Sequence, residues 1–218
     1  ATTEIYTPQH SSARQMCIRD RDDLIDPAYS GLTVVENPAT SSPGLSFLLA
    51  TIDTYGEEGY LDYWQGLVNN DVLVTDGWEE AYYGSFSAAS DGDRPIVVSY
   101  ASSPPAEVYF AETALELAPT AAVVSDGSCF RQVEFVGVLQ GTEHEEEAQL
   151  LVDFLLSRQF QEDIPLHMFV FPAIERAELP EVFLKHSQIP EKPATISPDE
   201  ISANREAWVQ AWTETVIR

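Results

Sequence analysis

A short β-branched run that passes through a hydroxyl-rich turn into an apolar helix is the feature that most limits what this chain can fold into. Residues 33–35 are predicted to form a buried strand, and residues 44–52 have the apolar content of a buried helix. Thr40, Ser41 or Ser42 can cap that helix. Because the first N–H groups of a helix lack intrahelical partners, this turn can hold an oxygen atom of a ligand or can be an ordinary capped helix start.

The charge of the chain excludes two classes of partner. With 36 acidic against 11 basic residues, the 218-residue chain carries a formal net charge of -25. A surface of that sign repels the phosphates of nucleic acids and anionic lipid headgroups. We therefore expect neither nucleic acid nor a membrane surface as a partner, and the 44% of apolar residues is ample for a packed core.

Residues 11–21 differ in composition from the rest of the chain. They carry three of the eleven basic residues and Cys17, one of the two cysteines. We expect residues 1–21 to be an uninformative, foreign or poorly ordered segment. The other cysteine, Cys129, can pair with Cys17 or with nothing. No run of about 18 apolar residues occurs, and the start lacks the pattern of a secretory signal, which a fragment would not retain.

From residue 22 onward, strands and helices are predicted to alternate, which is typical of an α/β fold. The predicted strands after the first are 72–75, 95–100, 121–124 and the longer 130–139. The predicted helices after the first are 60–68, 78–86, 103–110, 145–156 with Ala148, Leu151, Val152 and Leu155 inward, and a last helix that begins at Pro198 behind a Ser197 cap, with Ile201, Trp208, Trp212 and Val216 on its apolar side. Residues 172–198 are predicted to be a loop.

Aromatic and hydroxyl residues recur where the predicted strands end. Ser41 and Ser42 follow the first strand, Trp78 follows the second, Tyr100 follows the third, and Phe169 lies in a later apolar segment. In an open sheet of parallel strands, ligands bind at that edge. For any one of these residues alone, burial in the core is the better interpretation. Their recurrence predicts that all of them meet along one rim.

Four segments resemble a known family in order and spacing. Residues 37–44, 74–82, 98–104 and 205–208 are similar to the thiamine-binding proteins of bacterial ABC importers. The resemblance covers roughly residues 22–218 and implies an α/β fold of the periplasmic-binding-protein type II, in which two lobes close over a ligand.

Because those proteins are about half as long again, the resemblance implies that this chain holds the second lobe plus part of the first. Residues 22–135 would be the second α/β lobe with ligand-facing strand ends. Residues 136–218 would be the crossover return and the C-terminal helices, which pack on the largely missing first lobe. We expect such a chain to bind weakly or not at all and to expose apolar surface.

The resemblance implies a solute-binding component that captures thiamine, a thiamine phosphate or a related cationic aromatic compound and delivers it to an ABC transporter permease. It implies no enzyme, no cofactor and no metal site. It further implies a monomer whose signal-bearing parent is periplasmic or is an extracellular membrane-tethered lipoprotein.

The same resemblance assigns roles to individual residues. It puts Ser41 and Trp78 near the hydroxyl or phosphate end of thiamine, with Tyr100 beside them and Phe169 against the rings. Ala106 stands where relatives carry a stacking tyrosine, and Tyr109 is the substitute one helical turn later. The expected ligand-binding set is Thr40, Ser41, Ser42, Trp78, Tyr82, Tyr100, Tyr109 and Phe169.

Two other functions are compatible with part of the sequence. A ferric-ion-binding protein of the same superfamily would use tyrosines, and Tyr82, Tyr83, Tyr100 and Tyr109 are available. Adjacent Tyr82 and Tyr83 would point to different sides of a helix, which makes this the weaker hypothesis. A hydrolase is weaker still, because the sequence has neither a Gly-x-Ser-x-Gly elbow nor a phosphate-binding loop with its lysine.

Overall fold

The computed structural model describes residues 2–6, 18 and 20–217. The strands are β1 (Thr2–Tyr6), β2 (Thr33–Glu36), β3 (Leu73–Thr75), β4 (Ile96–Ser99) and β5 (Thr120–Val123). The α-helices are α1 (Ser42–Asn69), α2 (Trp78–Glu80), α3 (Ser103–Tyr109), α4 (Glu145–Leu155), α5 (Arg158–Met168), α6 (Glu181–His186) and α7 (Pro198–Val216), and α2 continues into a π-helical turn, Ala81–Ser85.

The described chain divides into two compact units. The first unit contains the residues up to Ala101, Pro119–Gln132 and the residues from Gln188 onward, and the second contains Ser102–Ala118 and Val133–Ser187. The division does not fall at the predicted boundary between residues 135 and 136. The assignment of these parts to the lobes of a clamp stays a prediction.

The first unit is built on one five-stranded mixed sheet in the order β3-β2-β4-β1-β5. Strand β2 pairs in parallel with β3 and β4, whereas β1 pairs antiparallel with β4 and β5. All four residues of β2 and of β4 are buried, as β-branched strands covered on both faces should be. Because β2, β3 and β4 are parallel, their carboxyl ends meet at one edge of the sheet.

The core of the first unit centres on Trp64 of α1. Its ring packs edge-on against Phe47 and against Trp212 of α7, each at 5.4 Å between centroids, and its Nε1 donates to the Thr51 hydroxyl. Helix α1 joins two predicted helices across a kink at Gly56, where φ is 72°. Helix α7 is capped by Ser197 and buries Trp208 and Trp212, as predicted, but it packs on α1 of this unit.

Part of the amino-terminal segment differs from the expectation of poor order. Thr2–Tyr6 forms β1, and Arg21 is buried, with Nη2 donating to the Thr54 hydroxyl and, at 2.8 Å, to the Gly127 carbonyl. These bonds tie Arg21 to the first unit. Cys17, and with it the question of its pairing, lies outside the described residues.

The second unit is helical in its described part, and three predictions fail there. Residues 131–139 form no strand, although their alternation predicted one, because a strand needs a partner and the nearest pairing is a single bridge between Phe130 and Ala194. Helix α4 buries none of its residues, so the predicted inward face is half-buried or exposed. The predicted loop 172–198 contains α6.

Candidate ligand-binding site

Three turns meet at the carboxyl edge of the parallel strands. We call them the sheet rim, which consists of residues 37–42 after β2, 76–78 after β3 and 100–101 after β4. The Asn37 amide donates to the Thr75 carbonyl at 2.8 Å, and the Thr40 hydroxyl donates to the Asp76 carbonyl at 2.7 Å. The first two turns are therefore tied together, and Thr40 is occupied in holding them.

Aromatic side chains cover part of this rim. Trp78 stacks on Tyr82 at 4.8 Å and lies 5.8 Å from Tyr100, and we call these three residues the aromatic cluster. The Trp78 Nε1 donates to the Ser99 hydroxyl at 2.9 Å, which fixes the indole at the end of β4. Trp78 and Tyr100 are half-buried, whereas Tyr82 is buried. The cluster therefore offers ring faces held in a defined orientation.

Tyr83 stands beside the cluster with a different exposure. It is 61% exposed, whereas its neighbour Tyr82 is 4% exposed, and the two rings meet edge-on at 5.3 Å. Tyr83 meets Trp78 edge-on at 5.5 Å. One of the two adjacent tyrosines is therefore accessible and the other is buried.

The start of α1 leaves a buried hydroxyl group without a partner. Ser41 is the residue before the helix, but its Oγ makes no capping bond and has no hydrogen-bond partner among the described residues. The predicted side-chain cap is therefore absent, since Ser42 is exposed and Thr40 binds elsewhere. A Cβ at Gly44 would lie 2.4 Å from the Glu36 carbonyl oxygen, so glycine allows the helix to start directly against the end of β2.

Glu36 lies directly before the sheet rim, at the end of β2, and was not predicted from the sequence as a functional residue. It is the last residue of β2 and is fully buried, and neither carboxylate oxygen has a partner within the described part of the chain. Burial raises the pKa of the Glu36 carboxyl from its ordinary 4.5 to about 8. The sequence signal that could have identified Glu36 is its position directly after the buried pair Val34-Val35 in the same strand.

Tyr109 and Phe169 lie in the second unit, apart from the aromatic cluster in the division of the chain. They are 5.8 Å apart and belong to a group that includes Phe110 and Phe183. Phe169 ends helix α5, whereas its sequence pattern placed it only in a later apolar segment and predicted no helix there. The structure thus brings Trp78, Tyr82 and Tyr100 together. It also brings Tyr109 and Phe169 together, as a separate group. It stays a prediction that both groups line one ligand site.

Two further observations limit the chemistry. Within residues 2–6, 18 and 20–217, no group of three or more His, Cys, Asp or Glu side chains is arranged to hold a metal ion. None of the helices in the described part of the chain combines the length and the apolar character needed to cross a membrane.

Comparison of sequences places the chain among binding proteins. Residues 19–204 match the family model of the bacterial extracellular solute-binding proteins. The chain is 33% identical to the thiamine-binding periplasmic protein of Escherichia coli (strain K12) over 199 residues, which are 90% of this chain and 57% of that protein. It is 32% identical over 194 residues to the thiamine-binding periplasmic protein of Brucella suis biovar 1 (strain 1330), covering 88% of this chain and 54% of that protein.

Comparison of structures agrees. A periplasmic thiamin-binding protein superposes with a TM-score of 0.79 and 26% identity over 100% of this chain and 64% of its own. A ferric-binding protein from Campylobacter jejuni superposes with a TM-score of 0.68, over 98% of this chain and 67% of its own, but its 13% identity shows a shared fold alone.

The chain spans just over half the length of the curated relatives. The predicted type II periplasmic-binding-protein fold is confirmed by these neighbours. The chain belongs to the bacterial extracellular solute-binding proteins.

Proposed function

We propose that this chain is the ligand-binding part of a solute-binding protein that captures thiamine, or a thiamine phosphate, and delivers it to the permease of an ABC transporter. The observation that carries the proposal is the aromatic cluster at the sheet rim. The vitamin is suggested by the relatives, which are named for binding thiamine.

The aromatic cluster suits a flat organic cation. Trp78 and Tyr100 keep part of their ring faces accessible, and the hydrogen bond from Trp78 to Ser99 restricts the indole. A cation over a ring face gains about 0.5–2 kcal/mol per ring. The thiazolium of thiamine is such a cation, so two rings supply a useful share of a micromolar affinity.

The start of α1 suits the other end of the ligand. The unpartnered Ser41 hydroxyl and the first amides of a 28-residue helix can donate to a hydroxyl or phosphate oxygen. Ser42 is exposed beside them. We assign Ser41 and Ser42 to this oxygen, and Thr40 to holding the turn.

Tyr109 and Phe169 remain proposed ligand contacts of the second unit. A ligand that touches more than one part of a clamp favours the closed form only because it binds the closed form more tightly than the open form. The chain acts in this scheme by binding and not by catalysis, as a monomer in the periplasm or on a membrane-tethered lipoprotein.

The test is a ligand titration followed by NMR, which detects weak as well as strong binding. Thiamine, thiamine monophosphate and ferric ion are added separately to the chain. Thiamine is expected to bind, although weakly for a chain that spans just over half the length of its curated relatives. Trp78→Ala is expected to weaken this binding by about tenfold, since one ring is lost. Phe135→Ala, which removes an exposed ring of the second unit, is the control.

Two results would reject the proposal. Binding of ferric ion without thiamine would favour the ferric-binding alternative. Equal loss of affinity in Trp78→Ala and Phe135→Ala would mean that the aromatic cluster is not the binding surface.

A further inference from the structure

Glu36 is a buried ionisable group that the proposed binding mode leaves without a role. Both of its carboxylate oxygens are inaccessible, and neither has a partner among the residues that the structure describes. An unpartnered carboxylate in such a position is costly, so the group is neutral unless a positive charge comes near. The raised pKa of about 8 agrees with this reasoning.

The strand register places Glu36 in the middle of a polar row. Glu36 lies opposite Thr75 of β3. Ser99 of β4 stands two residues after Val97, which pairs with Val34, just as Glu36 stands two residues after Val34. Side chains alternate between the faces of a sheet, so these three polar residues share the face on which Val34 and Val97 lie. The row therefore crosses three neighbouring strand ends.

The aromatic cluster covers that same face. Val34 and Val97 pack with Tyr82, and Trp78 adjoins this group and donates to Ser99, a member of the polar row. Glu36 and the aromatic cluster therefore lie on the same side of the sheet at its carboxyl edge. Both carboxylate oxygens of Glu36 are inaccessible, so a ligand against the accessible ring faces would not touch them directly.

The other ionisable side chains on the rim turns and on the elements packed here are Asp76, Glu79, Glu80, Tyr82, Tyr83 and Tyr100, of which Asp76 is exposed. Burial raises the pKa of Glu36, and the positive charge of the amino terminus opposes that larger effect in part by lowering the pKa. Tyr82 is the titratable side chain of the buried group, and Glu79 and Glu80 on α2 are exposed. At the surface, the Asp76 amide donates to Glu80 Oε2 at 3.2 Å. The first turn of α1 contains no acidic residue. Among the described residues on these elements, Glu36 is the buried carboxyl.

We propose that Glu36 is the anionic partner of the ligand's positive charge and that it releases its proton when a cation binds against the aromatic cluster. The inference rests on the proposed function and adds a mechanism of charge selection to it. When the cationic ligand binds, the protonated Glu36 carboxyl becomes a carboxylate, and the one proton that it releases passes to the buffer. The attraction between the cation and the Glu36 carboxylate acts without a direct hydrogen bond, because both carboxylate oxygens are inaccessible.

The experiment measures thiamine affinity by NMR titration at pH 6, 7 and 8. The affinity of the chain should rise with pH, approaching tenfold per pH unit, because protonated Glu36 competes with the cation. Glu36→Gln keeps the shape but cannot ionise, so its affinity should not change with pH. Glu58→Gln, which removes an exposed carboxylate from α1, should behave like the unchanged chain.

A second arm does not depend on the variant. A thiamine analogue with an uncharged ring in place of the thiazolium should bind the unchanged chain with an affinity that does not rise with pH. The same pH slope in Glu36→Gln, or for the uncharged analogue, would overturn the inference while leaving thiamine binding intact. Failure of thiamine to bind at any of the three pH values would overturn the proposed function and this inference with it.

Discussion

The two units of the chain differ in how completely each buries its own apolar side chains. In the first unit, α1 and α7 enclose Trp64 and Trp212 against the sheet. In the second unit, α4 buries none of its residues, and Phe135 is 91% exposed. The first unit therefore has a core of its own that can hold the sheet rim in place, whereas α4 contributes no buried side chain to the second unit.

The largest expected effect comes from the centre of the first unit. Trp64→Ala removes a fully buried ring that contacts Phe47 and Trp212, so it should lower the free energy of unfolding by about 3–5 kcal/mol. Phe154→Ala, in α4 of the second unit, should cost less than about 1.5 kcal/mol, because Phe154 is 48% exposed. Urea denaturation followed by circular dichroism measures both. Equal losses would contradict the contrast between the units.

The second effect is a pH dependence of stability that originates in Glu36. Its folded-state pKa of about 8 lies above the ordinary 4.5, so the folded state binds the proton more tightly and loses stability as pH rises from about 4.5 to 8. Between pH 5 and pH 8 this loss of stability should amount to about 3 kcal/mol.

Glu36→Gln isolates that contribution. Thermal melting at the two pH values should show a smaller loss for Glu36→Gln than for the unchanged chain. Glu58→Gln removes the same charge from an exposed site and should retain the full loss. If the two variants lose stability equally, the general repulsion of an acidic chain is the cause and the buried carboxyl is not.

The third effect tests the contact between helix and strand at the rim. Gly44→Ala places a Cβ 2.4 Å from the Glu36 carbonyl oxygen, so the helix start must move, at a cost of about 1–3 kcal/mol. Gly59→Ala, in the same helix, meets only the Tyr55 Cβ at 3.4 Å and should be neutral or stabilising. Urea midpoints of the two variants give the difference. A Gly44→Ala protein as stable as Gly59→Ala would show that the close approach is absent.

The smallest effect concerns Ser41. Its buried hydroxyl has no partner within the described residues, so Ser41→Ala should change the stability of the empty chain by less than about 1 kcal/mol. The same change should weaken thiamine binding, since a donor to the ligand is lost. If Ser41→Ala lowered the stability of the chain but left its affinity for thiamine unchanged, Ser41 would serve the fold alone.

Much of the first unit could be predicted from local sequence. The β-branched runs of β2 and β4 gave their positions to within a residue or two, because buried parallel strands need continuous apolar residues and turns with Gly, Pro or Ser punctuate them. Ser197 and Pro198 likewise marked the start of α7.

The failures have physical causes. The pattern of residues 131–139 describes a strand, but pairing depends on a partner that no local pattern specifies. Pro165 lies inside α5, where it usually interrupts a helix, so the segment before Phe169 was not recognised as helical. Glu36 was overlooked because a glutamate at the end of a strand is usually exposed, and its complete burial depends on tertiary packing that no local pattern specifies.

The most direct test of the account is the NMR signal of the Trp78 indole N–H during titration with thiamine. The chain has four tryptophans, of which Trp64 and Trp212 are fully buried in the core. The account predicts that the Trp78 signal shifts progressively and saturates, while the signals of the two core indoles stay in place. An unchanged Trp78 signal alongside demonstrated thiamine binding would contradict the claim that the aromatic cluster holds the ligand.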